Sequence, residues 1–281
     1  MHLILNTLPL AFYCNNSVLK NIIYTTGTFV VIVVALLLYV RASEPAVPEH
    51  VIIAHAGGNI DSLTYTNSRE AVEHAIACGV KYIELDIVVS PEGEPLAFHS
   101  SDDMIDTIYS CDPPHISEFT SAPLRGKNGK TYTPLTWREI NEIFLAHPDL
   151  FFVVDKTDDP AILEKYFPKL KSRMIVECFS MQRYKEVANA GFKQAMLSEG
   201  AFSPAAVIWQ DIKHLFCSDE PRVEIVALGR DTYNSSRSTR WFIKACNIPV
   251  AMWSATSRQH ANEIFHKISQ ARMLYTNEVG K

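Results

Sequence analysis

Residues 51–100 read VIIAHAGGNIDSLTYTNSREAVEHAIACGVKYIELDIVVSPEGEPLAFHS, and this stretch decides the fold. Its first segment, Val51–His55, opens with the apolar, β-branched run VIIA. A run of this kind reads as a strand buried on both faces, as in a parallel sheet. A helical pattern follows Gly57-Gly58. Asn67 is placed to cap it, and Glu70 stands three residues on, as in a variant capping box. The pattern reaches Cys78 and stops at Gly79. Tyr82–Val88 is the next strand. Within it Glu84 and Asp86 alternate with Ile83, Leu85 and Ile87, so both carboxylates fall on one face.

Outward from this stretch, short apolar runs keep alternating with amphipathic ones. Further strands are expected at Pro95–His99, Phe151–Asp155, Met174–Cys178, Gln194–Leu197, Val223–Leu228, Val250–Trp253 and Met273–Tyr275. Helices are expected over Trp137–Ala146, Ala161–Lys171, Gln182–Ala190, Ala205–Phe216, Thr239–Cys246 and Gln259–Gln270. This predicts an α/β fold, a TIM (β/α)8 barrel. Pro95–His99 would be one extra hairpin strand behind the turn Pro91-Glu92-Gly93. Residues 100–135 lack periodicity and read as a long loop. No glycine-rich dinucleotide fingerprint follows the first strand, which argues against a doubly wound open sheet.

The N-terminal part differs in kind. Residues 22–40, IIYTTGTFVVIVVALLLYV, hold no charge and are long enough for a transmembrane helix. A short segment, 1–21, precedes it, and a linker with two prolines, 41–50, leads into the barrel at 51–281. Lys20 and the terminal amine favour a cytoplasmic N-terminus, with the barrel on the opposite side of a single-pass membrane anchor. Across 281 residues the composition is 47% hydrophobic and 20% charged with a net charge of −5, which excludes a disordered chain and a broad nucleic-acid surface. The six cysteines show no metal-ligand spacing. A disulfide through Cys111 stays open for an extracytoplasmic domain.

In a barrel the active site lies at the C-terminal ends of the strands. Those ends carry His55, Glu84 and Asp86, His99, Asp155 with Lys156, and Trp253. Three carboxylates facing one cavity repel one another, and a hard divalent cation, Mg²⁺ or Ca²⁺, resolves that conflict. Two histidines beside it suit general acid and base roles. Lys156 would help to balance a bound phosphate. Glu177 also ends a strand but reads as a structural acid.

The same residues carry a family resemblance. The 51–100 stretch resembles the opening of the glycerophosphodiester phosphodiesterase family, which reads H-R-G-G, P-E-N-T, E-x-D and then D-G-x-x-V-x-H-D. Looser matches follow at Pro134-Leu135-Thr136-Trp137, Val154-Asp155-Lys156, Met252-Trp253-Ser254 and Tyr275-Thr276-Asn277. The HAGG and YTNS forms resemble a divergent branch of this group of phospholipase C-like TIM barrels. The resemblance implies a phosphodiesterase with one divalent metal. It implies His55 and His99 as the catalytic pair, Glu84 and Asp86 as metal ligands, and Asp155 in place of a third acidic ligand. Asn67, Lys156 and Trp253 are the candidates for substrate or phosphate contact. The implied substrate is a small-molecule or lipid phosphodiester, attacked by its own hydroxyl through a cyclic phosphate. Ala56, Thr66 and Ser100 depart from the family pattern, where arginine, glutamate and aspartate are usual. They leave room for a catalytically silent phosphate- or lipid-binding barrel, or for a phospholipase-like enzyme that releases a cyclic phosphate.

Overall fold

The computed structural model describes residues 10–42, 47, 50–99, 108–110, 122–217 and 219–280. The chain divides into two compact units, Met1–Glu44 and Pro45–Lys281. In the first unit a single helix, α1, runs over Leu10–Ala42. Among the described residues no helix is long and apolar enough to cross a membrane. The expected transmembrane span over 22–40, and the membrane contact inferred from it, are therefore not supported. Within that span the described side chains include Tyr24, Thr25, Thr26 and Thr28, and Thr25 turns its hydroxyl back onto the Asn21 and Ile22 carbonyls. The side chains of residues 36–40, where valine and leucine are densest, lie outside the description.

In the second unit eight parallel strands close on themselves. They are β1 (Val51–Ala54), β2 (Tyr82–Val89), β7 (Phe151–Asp155), β8 (Met174–Cys178), β9 (Gln194–Ser198), β10 (Val226–Gly229), β11 (Val250–Ala255) and β12 (Ala271–Thr276). β1 pairs with both β12 and β2, which seals the barrel. The expected extra strand is present as β3 (Pro95–Ala97), antiparallel to the end of β2. Two short additions fall in the stretch expected as loop. A hairpin joins β4 (Leu124–Arg125) to β5 (Thr131–Tyr132), and β6 (Leu135–Thr136) pairs with β3. Ser100 and Cys111 lie outside the described residues. Cys78, Cys178 and Cys217 are free thiols.

The strands are apolar on both faces because each face meets a different core. One set, including Leu85, Val154, Val176 and Leu197, packs outward under the helices. The other set, Ile53, Val153, Ile175, Met196, Ala227, Ala251, Met273 and Tyr275, fills the barrel interior. Helices α2 (Arg69–Ala77) and α3 (Trp137–Ala146) show how the ends are fixed. Asn67 does not cap α2. Ser68 does, accepting from the Ala71 N–H, and Glu70 instead receives the backbone N–H and hydroxyl of Thr133 at 2.8 Å each. Thr136 and Glu139 form a full capping box at the start of α3. A third cluster, with Phe98 and Tyr109 stacked, sits under the β3 extension. From it the Tyr109 hydroxyl donates to the Thr66 carbonyl at 3.0 Å and pins the loop that carries Tyr65 and Asn67.

Candidate active site

The interior positions advance two residues at a time, and at the C-terminal ends they change from apolar to polar. Ile53 is followed by His55, Glu84 by Asp86, Val153 by Asp155, Ile175 by Glu177, Met196 by Ser198, Ala251 by Trp253 and Met273 by Tyr275. These ends line a cavity of about 350 Å³, joined by Tyr65, His99, Lys156, Phe179 and Glu199. The fold therefore brings together seven of the eight expected site residues directly around the cavity or its acidic floor. The eighth, Asn67, is placed differently.

The acidic group is tight. One oxygen each from Glu84, Asp86 and Asp155 lies within 4.8 Å of the others. Glu84 and Asp86 are 1% and 2% exposed. Ala56 donates its backbone N–H to Glu84 Oε2 at 2.6 Å, while Glu84 Oε1 is buried with no hydrogen-bond partner. Burial, and then the charges of Asp86 and Asp155, push the Glu84 carboxyl well above the usual carboxylate range. Lys156 answers part of this charge. Its Nζ lies 2.5 Å from Asp155 Oδ2 and 3.4 Å from Asp86 Oδ1. Burial works against the lysine charge, but Asp155 and Asp86 outweigh it and raise its pKa. One ammonium cannot balance three carboxylates. An all-oxygen donor set with one buried, unpaired oxygen fits a hard divalent cation.

Asn67 engages Asp86 at both ends. Its Nδ2 donates to Asp86 Oδ2 and its Oδ1 accepts from the Asp86 N–H, each at 2.9 Å. It is fully buried and is not among the cavity-lining side chains. Its left-handed backbone, φ 49°, is a conformation asparagine tolerates better than most residues. Ala56 has the same φ, with its N–H on Glu84 and its carbonyl accepting from the Asn67 N–H at 3.1 Å. Gly58 follows with φ +90°, and a Cβ there would meet Val279 at 2.9 Å. The HAGG segment is thus a turn that aims a backbone donor at a buried carboxylate.

His55 is oriented from both sides. Its Nδ1 lies 3.1 Å from Asn277 Oδ1, and its Nε2 lies 4.0 Å from Glu84. An amide oxygen only accepts, so Nδ1 carries the proton and Nε2 keeps its lone pair. Burial lowers the His55 pKa, against the opposing pull of Asp86 and Asp155. Tyr65 stands edge-on to both histidines, with ring centroids 4.6 Å from His55 and 6.0 Å from His99. On the far arc, burial and then Asp155 raise the Glu177 carboxyl to about 8, against a hydrogen bond from Ser198. Trp253 lies across Gly229, whose missing Cβ would sit 3.0 Å from the indole Nε1 and 3.2 Å from Glu199 Oε2. Glu199 is not marked in the sequence, Glu177 reads there as a structural acid, and Tyr65, Tyr275 and Asn277 stand only within family-like motifs, without a role. For Glu177 and Tyr275 the available signal was a polar or amphipathic residue two places beyond an interior apolar one.

Residues 55–195 match the model of the glycerophosphoryl diester phosphodiesterase family. Among solved structures, a glycerophosphoryl diester phosphodiesterase from Parabacteroides distasonis superposes with a TM-score of 0.60 at 12% identity, over 86% of this chain and 87% of that one. A phosphodiesterase from Oleispira antarctica, solved with the product sn-glycerol-3-phosphate, gives 0.55 at 17% identity, over 82% and 93%. A glycerophosphodiester phosphodiesterase from Thermotoga maritima gives 0.53 at 17% identity, over 82% and 94%. At these identities the structural likeness speaks for the barrel fold. No curated protein matches the chain.

Proposed function

The chain belongs to the glycerophosphoryl diester phosphodiesterase family and is a phosphoric diester hydrolase, and from that premise we propose that it cleaves small phosphodiesters of the glycerophosphodiester type, using one divalent cation and two histidines. The observation that carries this reading is the close triad of Glu84, Asp86 and Asp155, with a buried, unpaired Glu84 Oε1, at a cavity that His55 and His99 also line. The all-oxygen set points to Mg²⁺ or Ca²⁺. Glu84, Asp86 and Asp155 would hold the ion, which when bound polarises a phosphoryl oxygen and offsets the charge that develops on it.

The remaining roles follow from the chain's own atoms. His55, held neutral by burial and with Nδ1 tied to Asn277, offers Nε2 as general base to the hydroxyl that attacks phosphorus. His99, on the same cavity, is the general acid that protonates the departing alcohol. Lys156 places a positive charge beside the carboxylates, where it attracts the phosphate. Asn67 fixes the rotamer of Asp86 rather than meeting substrate. Trp253, laid over Gly229, forms a flat wall for the alcohol group. The product bound to the Oleispira antarctica enzyme supports a glycerol phosphate as one half of the substrate.

The test is release of alcohol from a panel of glycerophosphodiesters and lysophospholipids with Mg²⁺, Ca²⁺ or EDTA. Turnover that requires metal and falls by at least about 10²-fold in His55→Ala or His99→Ala supports the assignment. Full turnover after verified metal removal refutes it. A cyclic phosphate detected among the products by phosphorus NMR marks attack by a substrate hydroxyl.

A further inference from the structure

Tyr275 is the last interior side chain of β12, paired in register with Ile53 of β1. It is 3% exposed and lines the cavity, yet its hydroxyl is buried with no hydrogen-bond partner. Phenylalanine would fill the same interior position without leaving a polar atom unpaired, so packing does not explain the oxygen. The charged groups that act on the hydroxyl are Glu177, Glu84, Asp155 and Asp86, all of them acceptors. Burial, reinforced by those four, keeps the phenol protonated. It is a buried donor without an acceptor, on a residue that lines the cavity.

Its position says what the acceptor is. The Tyr275 ring packs edge-on against His55, with centroids 5.6 Å apart and planes at 72°. His55 is the base assigned above to the attacking hydroxyl, so a phosphate held beside it also lies beside the Tyr275 ring. We propose that the Tyr275 hydroxyl donates a hydrogen bond to a non-bridging phosphoryl oxygen of the bound phosphodiester, which makes Tyr275 a substrate-binding residue of this site. The inference rests on the phosphodiesterase reading of the cavity and adds a neutral donor to the charged groups already assigned there.

Tyr275→Phe, in the full chain with Mg²⁺ present, removes the one atom in question. Three quantities are measured: the melting midpoint, kcat and KM on the best glycerophosphodiester, and the affinity for inorganic phosphate by titration calorimetry. The midpoint should be unchanged or higher, because no protein hydrogen bond is lost. Phosphate affinity and kcat/KM should each fall by about 5- to 150-fold, the usual range for removing one partner of a buried hydrogen bond. Phosphate affinity within twofold of wild type overturns the donor role, as does a wild-type chain that binds no phosphate. A wild-type chain that binds phosphate through Tyr275 but hydrolyses no phosphodiester overturns the hydrolytic reading and leaves the donor role standing. The calorimetric measurement needs no turnover, so the two failures are told apart.

Discussion

Replacing Glu84 by glutamine should have opposite effects with and without metal. Two unit charges at 4.8 Å, the outer limit of the triad's spacing, repel by about 3.5 kcal/mol at an effective dielectric constant of about 20. The metal-free protein avoids much of this by leaving a proton on Glu84, whose carboxyl is raised well above its ordinary value. Between the unfolded carboxylate pKa and that raised value, the folded state holds a proton that the unfolded state has lost. Stability of the metal-free protein therefore falls as pH rises through this window. Glu84→Gln removes the titrating group and keeps the shape and the acceptor for the Ala56 N–H. The metal-free variant should melt higher than metal-free wild type at pH 7–8, and the gap should close toward pH 5. Metal reverses the order. A cation at a hundredfold excess over its Kd stabilises wild type by about 2.7 kcal/mol, or about 5–11 °C for a domain of this size, and Glu84→Gln should gain little of that. Differential scanning fluorimetry over pH 5–8.5, with EDTA or with Mg²⁺, Ca²⁺ or Mn²⁺, reads both effects. Coincident melting curves for the two metal-free proteins at every pH, or equal metal-induced shifts, would refute the crowded-carboxylate argument.

Three further outcomes test neighbouring parts of the site. Asn277→Ala removes the acceptor that fixes the His55 tautomer, so kcat should fall by about 10- to 100-fold with a smaller change in KM, as for other partners that orient a ring nitrogen; a selective rise in KM would contradict that role. The acid limb of the kcat/KM profile should have its midpoint below 6.5, because burial lowers the His55 pKa and the base works only when neutral; a limb above 6.5 that shifts in His55→Gln would count against it. Gly229→Ala puts a Cβ 3.0 Å from the Trp253 indole nitrogen and 3.2 Å from Glu199, so KM should rise while the metal-induced melting shift stays as in wild type.

The barrel was readable because its strands announce themselves by length and composition. FFVVD and MIVEC are too short for helices and too apolar for exposed strands, and amphipathic helices separate them. The carboxylates were readable because Glu84 and Asp86 interrupt such a run with period two. Other parts were hidden for physical reasons. Asn67 has the propensity of a helix cap, and it stands one residue before the true cap, Ser68. Only the folded loop shows that its left-handed backbone turns the amide onto Asp86. Asn277 lies 222 residues from the histidine it orients, a distance no local pattern spans. The membrane span was inferred from an uncharged run of residues, whereas the first part of that run, as described in α1, holds Tyr24, Thr25, Thr26, Gly27 and Thr28.

Glu177 and Tyr275 were missed for a reason that belongs to closed parallel barrels. In a sheet with one wet face, hydrophobicity tells the two sides of a strand apart. Here both sides are apolar, one under the helices and one inside the barrel, so the phase of each strand has no hydrophobic signature. The phase becomes visible only where the interior series turns polar, at the last one or two inward positions. On β2 two successive acids mark it. On β8 a single Glu177 does so, and a single acid at a strand end has many structural explanations. On β12 the marker is a tyrosine, whose ring satisfies the interior and conceals the hydroxyl. Once β2 and β7 are aligned, with Asp86 opposite Asp155, the phase of the neighbouring strands follows from the register, strand by strand around the barrel. The same counting that pairs Asp86 with Asp155 places Glu177 beside them, and across β12 and β1 it pairs Tyr275 with Ile53, two residues before the His55 ring it packs against. These polar ends line one cavity, so a change at any of them bears on its neighbours.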